Sequence, residues 1–474
     1  MKLSSINLIA LSSILVLMQL SNLFEDRLLQ ITLTFFFYGI AWLLICVNLF
    51  SYLYGKYIER NRNTRNYHEV ISIKPDKLTM LLFAIYNFVM LIAFATYYLG
   101  AFKELKLSPY LLLFWLTINI LGILIFWTQK SNFSLNRLRA GILYGLCIYV
   151  AVNTFLHIIG IRPTDTTWDN LYGITEIGES HSLSFLGLKL ERILFPLSTS
   201  INGFGVVSGA SLVTGVLLFI LRYRSLGMFL KLIIVITSCF ALLLSDSRGS
   251  LVSAFMTILL YLVFKKSFVY RYFPSLIMFA SIPFLLLNTL VIKQLDVISF
   301  LARDRGSEIL SGREIIWSAV LKILSEFNSN QLFGYGIYGQ VDSGVSQLYS
   351  FLFSGRLTSP DIAPPHSLLL QYLLDVGYVG TIVFVLLLFT VSKQLTSSSV
   401  LKSKYQSEFV SEYANNIKIE NITYALVIYF ILAGVTEAMP TVYYADSFLI
   451  FTMIIISGVF SISSNAEKGK ELQA

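Results

Sequence analysis

Charge is what this sequence has least of. Only 13% of its 474 residues are Asp, Glu, Lys or Arg, against roughly 25% in an ordinary soluble domain. The length alone has room for about three soluble domains, but too few charges are present to dress their surfaces. Disorder is excluded from the other side. Apolar residues make up 56% of the chain and aromatic ones 15%, and disordered chains are poor in both. Cysteine is scarce too. Cys46, Cys147 and Cys239 all lie in apolar runs, so they suggest neither a C-x-x-C pair nor a disulfide framework, and plain apolar packing accounts for each. No G-x-x-x-x-G-K-[ST] phosphate loop is present, which disfavours an ATP-driven mechanism.

What remains is an all-α polytopic membrane protein with a mean hydropathy of +0.72. A spanning helix needs about 20 mostly apolar residues. Twelve such runs are present, at 6–24, 31–54, 78–100, 110–128, 141–160, 202–221, 228–245, 250–264, 274–292, 367–390, 423–439 and 447–462. They are continuously apolar rather than alternating, which argues against barrel strands. The first run resembles a signal peptide, but no A-x-A-like cleavage site follows it. With both termini inside, 22 of the 35 Lys and Arg residues fall on the inner side. Nine of the other 13 lie in two long outer segments, where the positive-inside rule has little force. The expected orientation therefore has cytoplasmic N- and C-termini. The net charge of +8 then records topology and not nucleic-acid binding.

The chain divides into spans one to nine (1–292), a large periplasmic loop (293–366), spans ten to twelve (367–462) and a cytoplasmic tail (463–474). The polar stretch 391–421 reads as a cytoplasmic linker. No internal repeat is visible, because only the second half carries the long loop, and this weakens an inverted-repeat transporter reading. A second outer segment covers 161–201. Within the large loop, Ser311 and Glu314 fit a capping box. Ile316, Ala319, Val320, Ile323, Leu324 and Phe327 then recur at helical spacing. This helix is expected to end before Asn328 and to lie on the outer membrane surface or on the bundle. Gly334, Gly336 and Gly339 follow in a turn-rich stretch.

Three features carry candidate chemistry. Arg248 sits in the tight Ser245–Gly249 turn between two spans, and polar residues compressed there are costly unless they are used; snorkelling to lipid headgroups is the alternative. Arg313 stands at the start of the loop helix on the same face as Trp317. A helix start offers N–H groups to an anion, and Arg grips phosphate in a fork that Lys lacks. His366 follows Pro364 and Pro365, which cannot continue a helix upstream. Its ordinary pKa near 6.5 suits general acid–base work, although a lone His is more often structural. Asp375, nine residues on, faces away from it at about 100° per residue. Lesser candidates are His157, the intramembrane acid Glu437, and Arg192 and Asn202 at the outer entrance to the sixth span. His181, Glu176 and Glu179 show no metal-ligand spacing such as H-E-x-x-H.

The ordered set Ser247-Arg-Gly249, Arg313 with Trp317, the Gly334/Gly336/Gly339 turn, and His366 with Leu370, Gly377 and Gly380 resembles the O-antigen ligase and O-antigen polymerase superfamily over roughly residues 190–390. Ser367 departs from it, since many members have Asn after the His. The resemblance implies a membrane glycosyltransferase whose donor is an undecaprenyl-pyrophosphate-linked oligosaccharide and whose acceptor is a sugar hydroxyl. It implies no metal, nucleotide or other cofactor. It implies a bacterial inner (plasma) membrane location and casts Arg248, Arg313 and His366 as catalytic, with Arg192 as a further phosphate contact; Arg192, Asn202, Trp317 and Glu437 are the expected substrate-binding residues. Membrane lipids are implied partners, with room for a flippase and a chain-length regulator. A repeat-unit polymerase is the favoured reading, a ligase to lipid A core the runner-up, and a protein O-oligosaccharyltransferase a third choice. A flippase or exporter of lipid-linked sugars is the reading from another class; it predicts charges spread over a central cavity in both halves.

Overall fold

The computed structural model describes residues 3–24, 26–61, 75–99, 110–129, 132–161, 179–180, 190–198, 200–290, 313–354, 360–402 and 412–461. Nearly all of them are helical. The elements before the middle of the chain are α1 (Leu3–Gln19), α2 (Arg27–Asn61), α3 (Lys77–Leu99), α4 (Tyr110–Trp127) and α5 (Asn132–Ile158), then a two-residue antiparallel pair, β1 (Glu179–Ser180) and β2 (Leu190–Glu191). Next come α6 (Ile201–Ile220), α7 (Met228–Ser245), α8 (Arg248–Phe264) and α9 (Phe268–Leu290). The long segment after α9 contributes α10 (Arg313–Ser325), α11 (Asn330–Phe333) and α12 (Gly339–Asp342), followed by short 3-10 turns. The chain closes with α13 (Leu368–Asp375), α14 (Gly377–Lys402), α15 (Glu412–Thr436) and α16 (Ala445–Val459). Among the described residues ten helices are long and apolar enough to cross a membrane, and α8 and α16 are shorter apolar helices. The chain is a multi-pass membrane protein. In lipid the helix is the economical solution, because every backbone group is satisfied within its own segment.

The central helix is α6. Gly203, Gly205 and Gly209 give it a surface without side chains, and small residues let helices approach closely in a membrane. A Cβ on Gly205 would lie 2.2 Å from the Ser247 Cβ. The turn before α8 therefore presses on α6. On Gly209 a Cβ would meet the Tyr429 hydroxyl at 2.1 Å, and that hydroxyl donates to the Val206 carbonyl at 2.7 Å. Thus α15 lies along the same face.

At the far end of α15 the bundle is tied by a buried ion pair. Arg139 on α5 and Glu420 on α15 stand 3.5 Å apart, both nearly inaccessible. Asn136 donates to the Glu420 Oε1 at 3.1 Å and accepts from Arg139 at 2.7 Å. The rest of the guanidinium donates to Ser457 Oγ, the Ser457 carbonyl and Ser461 Oγ. A buried charge is tolerated only with this degree of satisfaction.

The sequence reads the tenth span as one helix over 367–390. It is two. The α13 helix stops at Asp375, Gly377 adopts a φ of +69°, and α14 starts anew. Unbroken hydropathy hides the break. The carbonyls freed by it are taken by the glycine-rich turn. Tyr335 N–H donates to the Leu374 carbonyl at 2.7 Å and Gly336 N–H to the Asp375 carbonyl at 3.1 Å. Backbone docks on backbone here, and a side chain would not fit. A Cβ on Gly334 would lie 2.3 Å from the Asp375 carbonyl oxygen, and its φ is +83°. Gly334→Ala is expected to destabilise the protein by roughly 2–5 kcal/mol, from left-handed strain plus overpacking. Thermal unfolding of the purified chain in detergent checks this.

The loop helix α10 runs as the sequence suggests and ends at Ser325, before Asn328. Its start at Ser311 lies outside the described residues. The apolar stripe is buried at Ile316, Trp317, Val320 and Leu324, but Phe327 is exposed, because the helix has ended by then. The helix rests on the bundle, with the Trp317 ring 6.3 Å from that of Phe284 on α9. Of the outer segment 161–201, Glu176 and His181 lie outside the described residues, as does the proposed tail 463–474.

Candidate functional site

Glu437 is the first residue beyond α15, and the side chains of Arg313 and His366 converge on it. The Arg313 guanidinium, from the first residue of α10, pairs through Nη2 with Oε1. The His366 ring stands with Nδ1 3.1 Å from Oε2. Arg313 is 124 residues from Glu437 and His366 is 71 residues from it. The side chains keep 22% (Arg313), 15% (His366) and 6% (Glu437) of their exposure. The carboxylate is thus the most buried of the three, and the guanidinium and the imidazole are nearer the surface.

Burial penalises the Glu437 charge, but the Arg313 guanidinium and the His366 ring outweigh that cost and hold its pKa down at about 2. At neutral pH it is a carboxylate, which only accepts hydrogen bonds. Nδ1 of His366 must therefore be the donor. In the neutral ring this leaves Nε2 with the lone pair, as when a carboxylate fixes the tautomer of a catalytic His. Arg313 spends one nitrogen on Glu437, and its remaining N–H groups are directed elsewhere.

The backbone around His366 is held from several sides. His366 itself has a left-handed φ of +48°, uncommon for a non-glycine and costly unless its surroundings enforce it. Trp317 Nε1 donates to the Pro365 carbonyl at 3.0 Å, Tyr349 hydroxyl to the Ala363 carbonyl at 2.8 Å, and Gln340 Nε2 to the Ile362 carbonyl at 3.1 Å. The Phe353 ring stacks on the imidazole at 5.9 Å. Ser367, where the resemblance has Asn, is the N-cap of α13 and makes no side-chain cap bond. Trp317 needs correcting. It was expected beside substrate, but it is fully buried and cannot touch one; it positions the His366 segment through Pro365.

A second set of residues sits beside the first. Gly249 lies against Thr436, with an added Cβ only 3.0 Å from its Oγ1. The Ser247–Gly249 turn therefore abuts the residue preceding Glu437. Arg248, next in line, is partly exposed and has Nε 3.5 Å from Asp246 Oδ1. Arg192 donates through Nε and Nη2 to the Ser245 carbonyl, at 3.3 and 3.2 Å, and through Nη2 to Asn202 Oδ1 at 2.9 Å. Ile193 N–H donates to the Leu244 carbonyl at 2.9 Å, which fastens this strand-like segment to the end of α7. Arg192, Asn202, Arg248, Arg313, His366 and Glu437 thus gather at one end of the bundle. The His157 ring packs against that of Phe195 at 5.3 Å.

Asp375 does not touch His366, as its helical phase suggests, but it has a role that the sequence does not disclose. Oδ1 accepts from Gly339 N–H at 2.9 Å and from Gln371 Nε2 at 2.8 Å; Oδ2 accepts from Tyr443 hydroxyl at 2.6 Å. Gln371 also reaches Gln340 Oε1 at 2.8 Å. One buried carboxylate therefore joins the helix break, the glycine turn and the segment after Glu437. The only sequence signal is an acid at the end of an apolar helix. Among the described residues no group of three His, Cys, Asp or Glu is arranged to hold a metal.

Residues 232–385 match the family model described as O-antigen ligase. The matched stretch runs from α7 into α14 and contains Arg248, Arg313, Trp317 and His366. Arg192, Asn202 and Glu437 lie outside it. No curated protein matches the chain. The match covers about a third of the chain, and over that stretch the chain is similar to the O-antigen ligase family.

Proposed function

We propose that this multi-pass protein is a member of the O-antigen ligase and polymerase superfamily and joins lipid-linked oligosaccharide repeat units into a polymer on the outer face of the bacterial inner membrane. The donor is a glycan on undecaprenyl pyrophosphate and the acceptor a sugar hydroxyl. The observation that carries this reading is the convergence of Arg313 and His366 on Glu437, beside the turn that bears Arg248. Arg313 and Arg248 bind the pyrophosphate and neutralise charge as it leaves, with Arg192 as a further contact. His366, held by Glu437 through Nδ1, receives the acceptor proton at Nε2. The bond between the donor's anomeric carbon and the phosphate oxygen breaks and the glycosidic bond forms. The lipid departs as its pyrophosphate, and the proton rests on His366.

The second reading is the ligase, and the description of the matching family favours it. Donor chemistry is common to both, so these residues serve either. A flippase or exporter calls for charges along a central cavity, whereas the polar candidates gather at one end. The orientation with both termini inside rests on the excess of Lys and Arg in the inner loops.

Deleting the gene and resolving the surface glycan on a gel separates the readings. A polymerase loss leaves single repeats on the core. A ligase loss leaves a bare core with long lipid-linked chains retained, and an unchanged ladder contradicts both. Complementation with Arg313→Ala or His366→Ala is expected to restore no polymer while the chain persists in the membrane. Normal polymer length in both variants would refute the assigned site.

A further inference from the structure

The end of the bundle remote from Glu437 holds a second constellation of charge. The α6 helix begins beside Arg192 and ends at Ile220, so the turn that follows lies about 30 Å away at 1.5 Å per residue. That turn, 221–227, returns the chain into α7. Lys418, near the start of α15, donates from Nζ to the Arg222 carbonyl at 3.2 Å. Arg222 has a left-handed φ of +50°, an uncommon conformation for a residue with a Cβ. Arg224 is exposed on the same turn, and it and Lys231 are the charges that act on Lys418.

Lys231 is the informative member. It stands in the first turn of α7, where a cation opposes the helix dipole. It also lies on the buried stripe of the helix, a turn before Val235 and in line with Ser238 and Leu242. Its exposure is 7%, whereas Met228, Phe229, Leu230 and Leu232 around it are open. Among the described residues none gives its ammonium a hydrogen bond or an ion pair. Glu420, two residues beyond Lys418, turns its carboxylate to Arg139 instead. A largely buried cation is costly without a counter-charge, and among the described residues the charges that act on Lys418, those of Arg224 and Lys231, are of the same sign.

We propose that Lys231, Lys418 and the 221–227 turn form a binding site for the phosphate of an anionic membrane lipid. The phosphate sits between the two ammonium groups, where the first amides of α7 add their partial positive charge. The exposed Met228 and Phe229 side chains lie against the acyl chains. Basic pockets between spanning helices take lipid headgroups in this way. Free phosphate has the same charge chemistry but no apolar tail, and the choice of a lipid rests on those exposed apolar neighbours. The site is independent of the glycosyl-transfer reading, and its test needs no turnover.

Native mass spectrometry of the purified full chain in detergent tests it, with phosphatidylglycerol, phosphatidylcholine and inorganic phosphate as separate probes. The wild type is expected to retain phosphatidylglycerol over phosphatidylcholine, and equimolar inorganic phosphate should not displace it. In Lys231→Gln/Lys418→Gln that retention should fall roughly 30-fold, from about a factor of five per lost charge. Arg224→Gln, an exposed change that leaves packing alone, should lose a smaller part and keeps the test open if the double variant fails to fold. Equal retention of the two lipids, unaltered retention in the folded variants, or displacement by inorganic phosphate would overturn the proposal.

Discussion

Glu437→Ala is expected to lower glycosyl transfer by at least about 100-fold, on the scale of losing one preorganised electrostatic group from an active site. The loss has two sources. Without the carboxylate the His366 ring has nothing to fix its tautomer, so Nε2 is no longer reliably the proton acceptor. Arg313 also loses the partner that aims its guanidinium, and a partly buried cation is left uncompensated. Glu437→Gln separates these effects. The amide keeps the shape and one acceptor oxygen but not the charge, so it should hold one partner and release the other. Its fall in kcat should exceed any change in KM, because the positioning of His366 matters at the moment of proton transfer. A variant that transferred sugar at the wild-type rate would remove Glu437 from the account.

The largest expected effect on stability lies at the other end of α15. Glu420→Ala leaves Arg139 buried with no opposite charge, and breaking such a pair from one side costs about 3–5 kcal/mol. Asn136 loses its acceptor at the same time. Replacing both Arg139 and Glu420 with Met and Leu should cost much less, since apolar packing commonly substitutes for a buried ion pair. Thermal unfolding in detergent reads both results. The folded fraction of Glu420→Ala should retain its transfer rate per molecule, because the pair is most of a helix length from Glu437. An unchanged unfolding temperature in Glu420→Ala would show that the pair contributes nothing.

The spanning architecture was legible in the sequence because lipid imposes a simple rule, a long apolar run per crossing. The runs at 110–128, 202–221 and 228–245 coincide with α4, α6 and α7 to within a residue or so. The break between α13 and α14 was not legible, because Leu374, Val376 and Tyr378 keep the hydropathy high across it. It is paid for by backbone groups of a turn some forty residues earlier. The individual polar residues were visible for the same reason as the spans, since each interrupts an apolar neighbourhood. Their grouping was not visible. Nothing local to Glu437 names Arg313 or His366, which reach it from 124 and 71 residues away. Trp317 misled because an aromatic beside an Arg reads equally as a sugar platform or as core; its burial and its bond to the Pro365 carbonyl decide for the core. Asp375 is no partner of His366, as its helical phase implies, yet its contacts with Gly339, Gln371 and Tyr443 make it the joint of the region.

The central claim is that Glu437, Arg313 and His366 act as one unit in transfer from a lipid pyrophosphate. The most direct measurement follows both products at once. The purified full chain is given an undecaprenyl-pyrophosphate-linked oligosaccharide, and released undecaprenyl pyrophosphate and lengthened glycan are quantified together. The wild type should yield the two in equal amounts. Arg313→Ala, His366→Ala, Glu437→Ala and the triple variant should all fall to a similar low rate, since members of a unit are not additive. Independent losses that multiply across the three, or lipid pyrophosphate released without glycan extension at the wild-type rate, would contradict it.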